Sequence, residues 1–229
     1  MTRNLRHEVY RMNLHYPSLH RILALPGSLR RDSCNRKLLE TASRCAPPDS
    51  RIELFDGLAE VPLFNEDLES VQPLHEGVRR LRKAAAGADG LLIATPEYNQ
   101  SMPGVLKNAI DWLSRPLPDE LLPGKPTAIM GASTGRWGTR LAQAALRQTL
   151  AATEALVMPA PTLFVRDAAQ VFDDAGELGD PATRESLHEL LLAFSLWIER
   201  AGTTASPIAA RGTSNSHASS SLARPASDQ

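Results

Sequence analysis

A single α/β domain built on a five-stranded, doubly wound parallel sheet is the fold that this sequence predicts, and three observations carry that prediction. Strand-length apolar runs alternate with segments of helical period along most of the chain. The third of these runs, Gly90-Leu91-Leu92-Ile93-Ala94-Thr95, is continuously apolar, as a strand covered on both faces must be. Three of the runs end in loops rich in glycine, proline or hydroxyl residues, and in open parallel sheets ligands bind beyond the carboxyl ends of the strands.

Taken in order, residues 21–25 form the first strand. Residues 35–46 follow as a helix with Leu38, Leu39 and Ala42 at helical spacing, stopped by Pro47 and Pro48. Residues 51–56 alternate Ile52 and Leu54 with Arg51 and Glu53, the pattern of a half-exposed edge strand. The acidic, proline-containing stretch 57–71 reads as loop. Leu74, Val78, Leu81 and Ala85 mark a second helix closed by Gly87, and the buried strand 90–95 comes next. Residues 102–114 are a helix burying Val105, Leu106, Ala109, Ile110 and Leu113, with Trp112 and Leu113 expected near a surface used for subunit contact. Residues 127–130 are a fourth strand, 139–152 a helix, and 155–158 with 162–165 a fifth strand interrupted by prolines. The last helix, 181–201, puts Leu187, Leu190, Leu191, Phe194, Trp197 and Ile198 on one stripe, with Pro181 tolerated at its start.

Composition narrows the setting. The 229 residues suit one sizeable domain over 21–202, flanked by a poorly ordered extension 1–20 and a disordered Ser/Ala-rich tail 203–229. Met12 is an alternative start of translation, which N-terminal mass spectrometry of the native protein would settle. A net charge of −1 gives no reason to expect a nucleic-acid partner, and no run approaches the roughly 20 apolar residues of a membrane helix. Cys34 and Cys45, the only two cysteines, make neither a disulfide framework nor a zinc pattern, which points to a reduced, cytoplasmic setting.

The loops carry the chemistry. The first, Gly27-Ser28-Leu29-Arg30-Arg31-Asp32-Ser33-Cys34-Asn35, offers a tight glycine turn, hydroxyl and amide donors, a guanidinium and a helix start, which suit an anion such as phosphate. Its plain reading is a strand-to-helix turn with a Ser or Asn cap. The second, running from Thr95 through Pro96, Glu97, Tyr98 and Asn99 to Gly104, has a backbone fixed by prolines and an amphipathic aromatic, or is simply a proline-rich surface turn. The third, Gly131-Ala132-Ser133-Thr134-Gly135-Arg136-Trp137-Gly138, has three glycines that let backbone approach a planar ligand.

Together with Pro103-Gly104-x-Leu106-Lys107-Asn108-Ala109-Ile110-Asp111-Trp112, the first two loops resemble the NAD(P)H-dependent FMN reductase family, most of all its bacterial quinone and chromate reductase branch. The resemblance covers roughly 21–200. It implies a flavodoxin-like sheet of order 2-1-3-4-5, noncovalent FMN, and NAD(P)H as electron donor. It also implies a small acceptor (quinone-like, with chromate, free flavin and azo compounds as family options) and a homodimer or homotetramer. Carried onto this chain, Ser28, Arg30, Ser33 and Asn35 hold the FMN phosphate, with Cys34 among them as a small residue at the helix start. Pro96, Glu97, Tyr98 and Asn99 border the isoalloxazine ring, and Ser133 and Gly135 approach it from the third loop. Asp32 is expected to face water. Thr139 stands where relatives often have glycine, Ala144 where some have a tyrosine used in subunit contact, and Trp137 is bulkier than usual, which bears on substrate range and tetramer geometry.

Because the flavin supplies the reactive centre, no acid, base or nucleophile is assigned. Tyr98 is expected to line the acceptor site, the N–H groups of 97–99 to hydrogen-bond the ring, and Glu97 either to join them or to pin its own loop. Three other readings compete. Gly131-Ala132-Ser133-Thr134-Gly135 matches a nucleophile elbow, with Asp173 or Asp174 and His188 following in hydrolase order, but too few strands follow the serine. A flavodoxin-type electron carrier and a flavin-binding regulatory module share the fold without the turnover. No dinucleotide fingerprint or Walker A loop is present.

Overall fold

The computed structural model describes residues 19–173 and 175–204. The expectations for the N-terminal extension up to residue 18, for Asp174 and for the tail from 205 onward lie outside the described residues. The described elements begin with β1 (His20–Pro26), α1 (Cys34–Arg44) and β2 (Ser50–Leu54). A 3-10 turn (Leu58–Glu60), the short α2 (Glu66–Glu69) and α3 (Glu76–Ala86) come next. They are followed by β3 (Gly90–Ala94), α4 (Gly104–Leu113), β4 (Pro126–Ala132) and α5 (Arg140–Ala152). The chain ends with β5 (Leu156–Val157), β6 (Leu163–Val165), α6 (Ala168–Val171) and α7 (Pro181–Thr204).

The strands pair in the order β2-β1-β3-β4-β5, all in parallel, and β6 also pairs with β4. The expected fifth strand is thus two short pieces on the same edge: Leu156 and Val157 pair near the start of β4, and residues from Leu163 on pair near its end. Pro159 and Pro161 between them have no N–H to give a ladder, which explains the break. β2 is the other edge, with Arg51 and Glu53 exposed and Ile52 buried, as its alternation predicts.

Side chains on the strands alternate between two cores, because successive Cβ atoms point to opposite faces. Ile22, Ala24, Leu92, Ala128 and Met130 meet α1 and α7 on one face. Leu23, Leu25, Leu91, Ile93 and Ile129 meet α3, α4 and α5 on the other. The α7 stripe is buried as expected at Leu187, Leu190, Leu191, Phe194 and Ile198, with Trp197 at its margin. Gly90 sets how closely α7 lies on β3, since a Cβ there would fall 2.9 Å from both Phe194 Cζ and Ile198 Cδ1.

Two expectations need correction. The 57–71 stretch is not all loop: α2 forms there because Asn65 caps it, its side-chain oxygen accepting from Asp67 N at 2.9 Å. Trp112 and Leu113 are not at a surface, being 1% and 0% exposed. The 57–71 stretch folds over α4, so Trp112 Nε1 donates to Pro62 O at 2.8 Å and its ring meets Phe64 edge-to-face at 5.0 Å. Trp112→Phe should therefore lower stability by roughly 1–3 kcal/mol through a lost hydrogen bond and a small cavity. Urea unfolding would read this, and sedimentation should show an unchanged particle mass.

Candidate functional site

β1, β3 and β4 lie side by side, so the loops that leave their carboxyl ends are neighbours, and specific contacts close them on one another. In the first loop Gly27 N donates to Ala94 O at 2.8 Å, and a Cβ on Gly27 would meet that oxygen, Pro96 Cδ and Leu106 within 3.1–3.3 Å. Glycine is the residue that lets the chain turn under the neighbouring loop. Ser28 is buried; its Oγ accepts from Arg30 N at 3.3 Å and shares a 3.3 Å hydrogen bond with the Tyr98 hydroxyl. Ser33 caps α1, its Oγ accepting from Arg36 N at 3.3 Å, which leaves its own O–H free to donate. The N–H groups of Cys34 and Asn35, in the first turn of α1, are orphan donors of a helix start. Arg30 is exposed and its guanidinium has no hydrogen bond or ion pair among the described residues. Asp32 is exposed, as expected.

Between this loop and the start of α4 lies an open cavity of about 390 Å³ lined by Gly27, Leu29, Arg30, Tyr98, Pro103, Gly104 and Val105. Leu29 and Val105 were not among the expected site residues: Val105, expected in the core, is half-buried at the cavity wall, and Leu29 is exposed between two residues of the first loop.

Asn35, the fourth residue expected at the phosphate, also links two loops. Its Nδ2 donates to Ala132 O at 2.9 Å and its Oδ1 accepts from Ala132 N at 2.8 Å, both buried. One N–H and the oxygen of the side-chain amide join the start of α1 to the end of β4, which leaves the second Nδ2 hydrogen and the Asn35 backbone N–H as donors.

The second loop is a tight hairpin. Tyr98 and Ser101 exchange two backbone hydrogen bonds of 3.0 Å around Asn99 and Gln100, whose φ values are 50° and 63°. Asparagine tolerates this left-handed region, whereas glutamine there is strained. Pro96 is buried behind the turn. Glu97 is a pin, but for another element: Oε2 accepts from Leu141 N at 2.9 Å and from Ala142 N at 3.1 Å. Thr139, at the N-cap position of α5, makes no side-chain capping bond, so Glu97 supplies the cap and a favourable negative charge.

In the third loop Ser133 Oγ accepts from Gly135 N at 3.1 Å. Thr139 is fully buried and packs where a side chain on Gly131 would be, since a Cβ there would lie 2.1 Å from Thr139 Oγ1 and 2.4 Å from Thr95 O. Trp137 is 65% exposed, with the Arg136 guanidinium 4.9 Å above its ring, and it does not line the cavity. Ala144 is on the exposed face of α5.

Among the described residues the hydrolase constellation does not assemble. His188 is exposed on α7, and Asp173 Oδ1 accepts from Glu177 N at 2.8 Å, while Ser133 bonds within its own loop.

Three loops linked over the carboxyl end of a 2-1-3-4-5 parallel sheet, with the 390 Å³ cavity between the first of them and the start of α4, define the flavodoxin-like class. Known proteins sharpen this. A family model described as NADPH-dependent FMN reductase matches residues 20–170. The chain is 45% identical over 180 residues to an NAD(P)H-dependent FMN reductase of Pseudomonas aeruginosa, covering 79% of this chain and 96% of that one. It is 39% identical to a 2-hydroxy-1,4-benzoquinone reductase of a Burkholderia species, covering 78% and 96%. Among solved structures it resembles FerB of Paracoccus denitrificans, a flavoenzyme NAD(P)H:(acceptor) oxidoreductase, with a TM-score of 0.73 and 35% identity over 79% of this chain and 98% of that one. The chain belongs to the NADPH-dependent FMN reductase family.

Replacing Glu97 by alanine should cost about 1–2 kcal/mol by uncapping α5, and glutamine, which still accepts hydrogen bonds, should cost less than half of that. Thermal unfolding of the two variants beside the parent checks the order.

Proposed function

We propose that this oxidoreductase takes electrons from NAD(P)H through noncovalently held FMN and delivers them to quinone-like acceptors. The observation that carries the site assignment is the exposed Arg30 guanidinium, which lines the 390 Å³ cavity and has no hydrogen bond or ion pair among the described residues, in a loop that leads through the Ser33 cap into the first turn of α1. A guanidinium, hydroxyl donors and helix-start N–H groups are the donor set that a phosphate dianion requires. When bound, FMN supplies the hydride acceptance and onward electron transfer.

The chain's own residues bind and orient. Ser28, Arg30, Ser33 and the N–H groups of Cys34 and Asn35 hold the phosphate. Pro96, Tyr98 and Asn99 border the ring, and the left-handed Asn99-Gln100 turn fixes the direction of the N–H groups beside it. Ser133 and Gly135 stand at the ring from the third loop. Glu97 acts one step removed, by fixing the second loop to α5. Tyr98, 45% exposed, forms part of the floor on which an acceptor rests.

Quinone-like acceptors are favoured by the relatives named as quinone and benzoquinone reductases, in Escherichia coli K12 and Burkholderia among others. A homodimer or homotetramer in the cytoplasm completes the reading. The two unpaired thiols fit a reducing setting, and among the described residues no helix is long and apolar enough to cross a membrane.

Anaerobic addition of NADH or NADPH to the FMN-loaded protein should bleach the flavin absorbance, and a quinone should restore it. A protein that takes up no FMN would overturn the reading. Arg30→Ala should weaken FMN binding roughly 10- to 150-fold, the equivalent of about 1.5–3 kcal/mol for a charge-assisted bond, measured by flavin fluorescence quenching. Tyr98→Ala should retain FMN while turning over quinone several-fold more slowly in steady-state assays.

A further inference from the structure

At the opposite end of the sheet, three metal-ligating side chains from distant parts of the chain converge. His20 opens β1, Asp49 immediately precedes β2, and Glu199 lies near the end of α7. One ligand atom from each lies within 4.8 Å of the other two. His20 is 6% exposed, and its Nε2 is buried with no hydrogen-bond partner. That atom points toward Glu199 Oε1 at 3.8 Å, too far for a hydrogen bond. A buried ring nitrogen that faces one carboxylate without bonding to it, with a second carboxylate close by, has its lone pair or proton unsatisfied by the protein and is suited to a cation shared among the three side chains.

We propose that His20, Asp49 and Glu199 bind a divalent transition-metal ion of the zinc type. The imidazole selects against calcium and magnesium, which prefer all-oxygen shells, and in favour of zinc and its neighbours. Three protein ligands with a fourth position left to water is a normal zinc arrangement, and the half-exposed Glu199 leaves that position open to solvent. Ligand atoms around a tetrahedral zinc stand about 3.3–3.5 Å apart, given metal–ligand bonds near 2.0–2.1 Å. The His20–Glu199 separation is already close to this, and the long Glu199 side chain can swing inward to complete the set.

Asp49 is held ready. Its Oδ2 accepts from the fully buried Ser195 hydroxyl at 2.9 Å, and its Oδ1 from Ser50 Oγ at 3.3 Å. Such outer partners orient a ligating carboxylate and leave it lone pairs for a metal. The bound ion ties β1, the approach to β2 and α7 together. β1 runs seven residues from His20 to Pro26, so the ion sits roughly 20 Å from the anion loop, at about 3.3 Å per residue. It serves the scaffold and takes no part in electron transfer.

The test uses the full chain loaded with FMN, stripped of metal by a chelator and titrated with zinc chloride in competition with a chromophoric chelator. One tightly held zinc per chain is expected. It should raise the melting temperature by roughly 5–10 °C when zinc is at a hundred times its Kd. His20→Gln and Glu199→Gln should each weaken zinc binding by about tenfold or more, while NAD(P)H-driven flavin reduction keeps the parent rate. If His20→Gln does not fold, Glu199→Gln decides, because that side chain is solvent-facing. Absence of tight zinc binding, or binding of equal strength in the Gln variants, would overturn the proposal. So would stabilisation that appears only on acidification, since that would mark the cluster as a protonated histidine paired with Glu199.

Discussion

The candidate site depends on one buried side-chain amide. Asn35 faces the backbone of Ala132 with both its donor and its acceptor, and so fixes the start of α1 against the end of β4. Parallel strands leave their carboxyl-end loops side by side but unconnected, since each chain turns away into its own helix. The Asn35 pair closes the first loop onto the third. The Tyr98–Ser28 contact closes the second onto the first, and Glu97 closes the second onto the helix that follows the third. Each of these bonds contributes only about 1 kcal/mol net. Breaking the buried ones leaves orphaned polar groups, which costs more than the bond is worth. Preorganisation of the binding surface follows from that asymmetry.

The same ring of contacts explains why an unusual residue is tolerated at position 139. Gly131 lacks the Cβ that would collide with Thr139 Oγ1 and with Thr95 O, so the hydroxyl is buried in the space a larger residue on β4 would take. There it accepts from Gln143 Nε2 at 3.1 Å, and that amide also donates to Leu163 O at 2.9 Å. A threonine is thereby built into the packing of α5 on the sheet. Trp137 is exposed with the Arg136 guanidinium over its ring, and neither it nor Thr139 lines the 390 Å³ cavity.

What was legible in the sequence is what has a local period. β1, β3 and β4 announce themselves as apolar runs, and the helices as stripes such as Leu187, Leu191, Phe194 and Ile198. α2 has no buried residue and therefore no stripe, and only the Asn65 cap signals it. Trp112 was misjudged because α4 is covered on both sides, one of them by a segment some 50 residues earlier in the chain. The first loop was readable as residue types, but not which of its side chains bond within the protein. Asn35 meets Ala132 across 97 residues and Glu97 meets Leu141 across 44, and no spacing rule reaches that far. His20, Asp49 and Glu199 were hidden for the same reason.

The two ends of this sheet carry opposite electrostatic character, and the topology requires it. Right-handed crossovers run each helix antiparallel to the strands, so helix N-termini gather at the carboxyl end of the sheet and helix C-termini at the other. Partial positive charge accumulates at the first end and partial negative charge at the second. The first loop, proposed to hold the phosphate, occupies the first end, where the start of α1 offers its free N–H groups. The second end already holds a cation of its own. Lys125, just before β4, donates to Ala85 O at 3.2 Å and to Ala88 O at 2.6 Å around the C-terminus of α3. Burial pushes the pKa of this ammonium down and nearby Asp89 pushes it up, yet the carbonyls of the helix end keep it in place. His20, with Asp49 and Glu199 nearby at that same end, lies where the fold's own field favours positive charge, which suits the proposed metal ion.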